Sequence, residues 1–253
     1  MLFGASCSGD HALTTRPDKP KAIILAGGLG TRLRPYTLLL PKPMLPVGPK
    51  PILEHIIEWL SGNKISDIVI STGYLGRMIE EYFRNGSELG VSIEYARSNR
   101  PMGIAGQLRA AEEKVGDTFL CLYGDAMLDF KLDKLIDFHL KSRAMATMTL
   151  MKYETKLKYG MIDVDKRGRV TSWREKPVIE GDINVGCYVM QKSFFKYIPE
   201  KKVYGMKEAF EDALRNKEMI CALRVDGTFL DIGDRRSFRE ANEIYLQKYG
   251  EIP

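Results

Sequence analysis

Long apolar runs are missing from this 253-residue chain. No stretch approaches the eighteen or so residues that a membrane-spanning helix needs, so no membrane partner is expected. Cysteine is sparse: Cys7, Cys121, Cys187 and Cys221 show neither C-x-x-C spacing nor neighbouring histidines, which signals neither a zinc site nor a disulfide framework. Three of the four sit in apolar, strand-like runs, as reduced thiols buried in a cytoplasmic protein would. Of the three histidines, His55 and His139 fall in helical patterns and His11 in the N-terminal stretch, so all three read as structural or exposed. Charge of one sign is not in large excess either. The net +5 suits a small anionic substrate and is too scattered for nucleic acid. The densest basic run, Lys196, Lys201, Lys202 and Lys207, reads as a solvated face.

Two familiar phosphate loops are also absent. The glycine turn at residues 26–32 continues Gly30-Thr31-Arg32 where a P-loop needs Gly-Lys-Ser/Thr. The dinucleotide pattern G-x-G-x-x-G fails at Leu33, and no acidic residue closes the second apolar strand, Ile68 to Thr72, to hold a ribose.

What is present begins with Ala22 to Leu25, an apolar run ended at once by glycine, the pattern of a buried parallel strand. In the turn Ala26-Gly27-Gly28-Leu29-Gly30-Thr31-Arg32, three glycines remove the Cβ atoms that would hold a phosphate away from the backbone, leaving main-chain N–H groups to face an anion. Arg32 and Lys42, ten residues apart with Pro35 and Pro41 between them, place two positive charges where a polyphosphate could lie.

Strand and helix patterns then alternate. Helical faces run over Ile52 to Leu60, Leu75 to Phe83 and Leu132 to Leu140, and strands over Asp67 to Thr72, Val91 to Ala96 and Thr118 to Tyr123. Right-handed crossovers follow, with a mainly parallel sheet and ligands at the carboxyl ends of its strands. The last of these strands stops at Gly124-Asp125, where an aspartate is placed to hold a divalent cation or to cap a turn. Beyond residue 143 the pattern changes to closely spaced strands, Met145 to Tyr153, Gly160 to Asp165, Arg169 to Arg174 and Asn184 to Met190, with a hairpin turn at Asp165-Lys166-Arg167-Gly168. A short helix, Lys207 to Arg215, a strand, Met219 to Val225, and a final helix, Ser237 to Lys248, complete the chain. Residues 1–20 carry no periodicity and no basic n-region, and read as a loose extension ahead of one α/β domain over residues 21–253.

Gly28, Gly30, Thr31 and Arg32, then Pro41-Lys42 after the leading Leu25-Ala26-Gly27, resemble the signature of the sugar-1-phosphate nucleotidylyltransferases. Further motifs recur in order to about residue 243. The resemblance implies a Rossmann-like α/β fold with a mixed, mainly parallel sheet flanked by helices. It also implies a nucleotide half at about 21–143 and a sugar-phosphate half at about 144–253. No hexapeptide repeat of the kind that some relatives append as a C-terminal β-helix occurs in the sequence.

By the same resemblance, Leu25 to Gly28, Gly30 and Thr31 hold the nucleotide, and Gly103, within Pro101-x-Gly103-x-Ala105, touches it through its backbone. Thymidylyl members carry glutamine where this chain has Ser98, and guanylyl members often read Leu-Gly-Thr-Ala-Gly where it reads Met102-Gly103-Ile104-Ala105-Gly106, so the base stays open. Asp125 and Asp231 match the two metal aspartates, with Mg2+ as the implied cofactor, and Asp226 and Asp234 lie close enough in sequence to compete with Asp231. Gly160, Glu175 and Asn184 match sugar-binding positions, and Lys176 the position that binds the sugar phosphate. The implied activity is transfer of a nucleoside monophosphate from a nucleoside triphosphate to a sugar-1-phosphate, with Arg32, Lys42 and Lys176 neutralising charge and no general base needed. Two alternatives share the motifs: an enzyme of the same fold acting on another phosphate or a phosphonate, and a catalytically silent nucleotide-sugar-binding homologue. Relatives are often homo-oligomers, so a homo-oligomer is a further expectation.

Overall fold

The computed structural model describes residues 19–98 and 100–250. The N-terminal extension, apart from Lys19 and Pro20, and with it Cys7 and His11, lies outside the described residues. The chain opens with β1 (Ala22–Leu25) and three short 3-10 turns. It continues through β2 (Pro46–Val47), β3 (Lys50–Pro51), α1 (Ile52–Gly62), β4 (Asp67–Thr72), α2 (Gly76–Phe83) and β5 (Ser92–Arg97). Next come α3 (Gly103–Arg109), β6 (Thr118–Tyr123), β7 (Ala126–Asp129) and α4 (Leu132–Ser142). The second half holds β8 (Ala146–Lys156), β9 (Met161–Val164), β10 (Val170–Arg174), β11 (Val178–Gln191), α5 (Met206–Arg215), β12 (Ile220–Arg224), β13 (Thr228–Asp231) and α6 (Arg235–Tyr249).

Seven strands form one sheet in the order β12-β8-β11-β6-β1-β4-β5. β1 pairs in parallel with both β4 and β6, β4 with β5, and β8 with β12, while β11 runs antiparallel to both of its neighbours. The two sequence halves therefore share a sheet rather than facing each other as separate ones. The chain leaves β1 toward β4 and β5, then crosses back to place β6 on the other side of β1. That reversal opens a crevice outside the carboxyl ends of β1 and β6, where ligands bind in sheets of this kind.

Side-chain alternation along the central strands divides the core. Ala22, Ile24, Ile68, Ile70, Leu120 and Leu122 face α1, α2 and α4, while Ile23, Val69, Phe119 and Cys121 face α3 and α5. Both faces are sealed, which is why these strands read as unbroken apolar runs. His139 is fully buried, and its ring nitrogens lie 2.9 Å from Thr147 Oγ1 and 2.8 Å from Gln191 Nε2, a structural role as the sequence suggested. Cys121 and Cys187 are buried free thiols in β6 and β11.

Differences from the sequence reading have identifiable partners. α3 begins at Gly103, inside the glycine-containing motif and where no helical pattern was expected. Its start is held by Tyr204, whose N–H donates to Met102 O and whose carbonyl accepts from Ala105 N. β11 starts at Val178, six residues before the expected strand, because β8 pairs with it from Lys156 to Leu150. β7 and β13, paired antiparallel with Asp231 opposite Ala126, carry little periodicity and were not foreseen.

Candidate active site

Gly27 and Gly28 follow β1 after Ala26, and Gly30 turns the chain at φ 59° into the first 3-10 turn. A Cβ at Gly30 would meet Thr37 Cγ2 at 2.8 Å, whereas one at Gly28 would meet nothing within 4 Å. Gly28 thus faces open space, and Gly30 serves the turn. Thr37, buried, ties the loop back by donating to Gly30 O at 2.8 Å. The N–H of Gly27 is not left for an anion: it donates to Gln107 Oε1 at 2.8 Å.

A cavity of about 510 Å³ is lined by Gly27, Gly28, Gly30 and Thr31 from the glycine turn, by Ser98 and Pro101 from the connection after β5, and by Gly103 and Ile104 at the start of α3. Gly73 and Tyr74, after β4, close its side. Gly103 has φ 74°, and a Cβ there would lie 2.3 Å from Tyr204 O, so both conformation and packing require glycine. A smaller cavity of about 120 Å³ continues past Leu25, Ala26, Gly28, Ile104 and Gln107 to Lys42, Tyr123, Gly124 and Asp125. The shared residues Gly28, Ile104 and Gln107 mark where the two meet.

Lys42 is buried, and its Nζ lies 2.5 Å from Asp125 Oδ2. Asp125 stands between β6 and β7, and its carbonyl accepts from Ile232 N at 3.1 Å, which sets the end of β13 beside it. Asp231 is therefore a cross-strand neighbour of Asp125. Its carboxyl is raised above the usual range by partial withdrawal from water, then by the Asp125 carboxylate, and is drawn back by Lys42 and Arg32. These four groups consequently share one electrostatic neighbourhood. Two carboxylates, without a third acidic or histidine ligand among the described residues, fit a hard divalent cation that completes its shell with substrate oxygens and water. Of the competitors, Asp234 is committed to capping α6, accepting from Arg236 N and Ser237 N at 2.9 Å each. Asp226 is exposed on the connection before β13.

The C-terminal helix also supports the loop. Arg235 Nε donates to Arg34 O at 3.0 Å, while Asn242 accepts from Gly48 N at 3.0 Å and donates to Pro46 O at 3.2 Å.

The residues expected on the sugar side divide into two groups. Asn184 occupies an irregularity in β11, donates to Tyr188 Oη at 2.7 Å and accepts from Gly186 N at 3.0 Å. Tyr188 Oη donates in turn to Tyr123 Oη at 3.1 Å, and Tyr123 lines the cavity at Asp125. Gly186, at φ 73°, packs against the Tyr123 ring. Asn184 is thereby linked to the cleft. Gly160 and Glu175 meet one another, since a Cβ at Gly160 would lie 2.9 Å from Glu175 Oε2, which also accepts from Trp173 Nε1 at 3.2 Å. Lys176 is exposed at φ 43°, a strained left-handed conformation for a residue bearing a side chain. Lys176 precedes β11 and stands eight positions before Asn184, at most roughly 27 Å of chain at 3.4 Å per residue, and it lines neither cavity. Gln107, Tyr74 and Tyr123 are lining residues that the sequence reading missed. Only the chemistry of Gln107, a polar residue in the second half of α3, offered a local clue.

A cleft at the carboxyl ends of a mixed, mostly parallel sheet, with a glycine turn on one side and paired aspartates on the other, defines the nucleotide-diphospho-sugar transferase fold. Comparison with known proteins agrees. The chain belongs to the nucleotidyl transferase family, which it matches over residues 21–248. It is 36% identical over 234 residues to a mannose-1-phosphate guanyltransferase of Yarrowia lipolytica, covering 89% of this chain and 64% of that protein. It is 32% identical over 232 residues to a UTP--glucose-1-phosphate uridylyltransferase of Synechocystis sp., covering 84% and 60%. The chain thus spans less than two thirds of the length of these relatives. Among solved structures, HddC from Yersinia pseudotuberculosis complexed with GMP-PN superposes with a TM-score of 0.71 at 25% identity, covering 90% of this chain and all of that one. A glucose-1-phosphate thymidylyltransferase structure from Bacillus anthracis, in complex with a sucrose, gives 0.73 at 26% identity, covering 88% and 94%. Among the described residues, no helix is long and apolar enough to cross a membrane.

Proposed function

We propose that this protein transfers a nucleoside monophosphate from a nucleoside triphosphate to a sugar-1-phosphate, releasing pyrophosphate. The carrying observation is the pair of cavities that share Gly28, Ile104 and Gln107, one at Gly28 and Gly103 and the other at the Lys42–Asp125 pair, with Asp231 alongside. A nucleoside fits the first part and its phosphates the second. Attack of one phosphate on another is opposed by like charge, so the work of such a site is positioning and neutralisation. Arg32 and Lys42 are suited to the triphosphate and the departing pyrophosphate. Asp125 and Asp231 would hold Mg2+, which supplies charge neutralisation across the phosphate oxygens.

The sugar phosphate is already ionised near neutral pH, which agrees with cavities lined by no histidine among the described residues. Asn184, anchored through Tyr188 and Tyr123, suits a sugar hydroxyl. Lys176 is assigned to the attacking phosphate on the family motif alone, since it lines neither cavity. Pyrophosphate release measured for five nucleoside triphosphates against glucose-1-phosphate, mannose-1-phosphate and related sugar phosphates, with and without Mg2+, tests the reading. One productive pair that depends on the metal is expected, and Lys176→Ala should raise KM for its sugar phosphate more than for its nucleotide. Absence of turnover with every pair would refute the activity.

A further inference from the structure

We infer that Gln107 is a nucleotide-binding residue that donates to the ribose–α-phosphate segment of the triphosphate, an inference that rests on the function proposed above. Gln107 lines both cavities at their junction. It is held at two points: its backbone carbonyl accepts from the buried Ser71 Oγ at 2.8 Å, and its side-chain Oε1 accepts from Gly27 N at 2.8 Å. The second bond fixes the amide orientation, because an N–H donor can be met only by the oxygen end of a carboxamide. The Nε2 end, with its two N–H donors, therefore points away from Gly27. It makes no hydrogen bond among the described residues.

The place of those donors identifies what they meet. On one side lies the cavity built from Gly28, Tyr74 and Gly103, which suits a base, and on the other the Lys42–Asp125 pair, which suits the phosphates and metal. Between base and phosphorus in a nucleotide stand the ribose and the α-phosphate oxygens, all of them acceptors. A donor there reads a feature common to every nucleoside triphosphate, so Gln107 sets nucleotide affinity and leaves base preference to the larger cavity. It also supplies a donor in exchange for the Gly27 N–H that it occupies.

Gln107→Glu separates binding from support. Its carboxylate can still accept from Gly27 N, but it offers no donor and turns negative charge toward the nucleotide. KM for the triphosphate should rise on the order of ten- to a hundred-fold, by a similar factor for each base accepted, with KM for the sugar phosphate and the melting temperature little changed. Gln107→Met, similar in size but with neither donor nor amide oxygen, should raise nucleotide KM likewise while lowering the melting temperature through the lost Gly27 bond, and serves if the glutamate variant does not fold. Equilibrium titration with the preferred triphosphate should weaken in parallel, which reads nucleotide binding without turnover. Wild-type nucleotide KM and affinity in both variants, or a change in the ratio between bases, would overturn the assignment. Failure of the wild-type protein to bind any nucleoside triphosphate would instead overturn the functional reading on which it rests.

Discussion

Lys42→Met tests whether the buried lysine serves chemistry or merely props up Asp125. The side chain of Lys42 is 10% exposed and that of Asp125 34%, with Nζ and Oδ2 2.5 Å apart. Two unit charges 4 Å apart attract by about 4 kcal/mol at an effective dielectric near 20, and most of that gain is offset by desolvation. Because Asp125 keeps contact with water, losing its partner should destabilise the fold by only about 1–2 kcal/mol, rather than the roughly 3–5 kcal/mol of a fully buried pair. At about 2–4 °C per kcal/mol for a chain of this size, the melting temperature should fall by roughly 2–8 °C. A cation aimed at developing phosphate charge contributes more, and by analogy with the loss of one preorganised donor kcat should drop about 10²–10³-fold. The double variant Lys42→Met/Asp125→Asn removes both charges and should recover the stability while remaining inactive. Differential scanning fluorimetry and single-turnover pyrophosphate release supply the two readouts. Less than a ten-fold loss in kcat, alongside the expected melting shift, would show that Lys42 is a strut and refute the reasoning.

Asp231 allows a test by pH and metal. Its raised carboxyl pKa means that the folded chain holds this proton more tightly than the unfolded chain does, so stability is lost as pH rises through the folded-state pKa. Without metal, Asp231→Asn should therefore melt above wild type near pH 7, with the gap closing toward pH 4, and Mg2+ should raise the melting temperature of wild type only; fluorimetry across that pH range checks both. Gly28→Ala adds a Cβ facing open space and should leave stability unchanged while raising KM for the nucleotide. Gly30→Ala, at φ 59° and 2.8 Å from Thr37, should destabilise by about 1–2 kcal/mol in urea unfolding. Asn184→Ala should cost about 1–2 kcal/mol in the same assay, because Tyr188 Oη loses a donor, and should raise KM for the sugar phosphate.

The parts of this molecule legible in the sequence are those whose cause is local. β1, β4 and β6 are apolar because both faces of the sheet are covered, and glycine ends β1 and β6 where the chain must turn into the cleft. The hairpin after β9 was equally plain, since Asp165 Oδ1 accepts from Arg167 N at 2.8 Å and Arg169 N at 3.0 Å. What escaped depends on distant partners. Gly103 and Gly106 are poor helix formers, and α3 starts there only because Tyr204 holds its first turn. Residues 178–183 include Gly181 and Asp182, and become strand by pairing with β8. The neighbourhood of Asp125 and Asp231 was reached by family resemblance, while the β7–β13 pairing that creates it has no signature in either segment.

The attachment of α6 to the loop around Arg34 and Pro46 bears on how the protein is made. Arg235 and Asn242 reach back some two hundred positions to grip that loop, and β13 supplies one of the two aspartates. During synthesis the glycine turn leaves the ribosome some two hundred residues before the segments that clamp it and complete its charge balance. A nascent chain can build the central strands well before then, yet the cleft acquires its working shape only once α6 has docked.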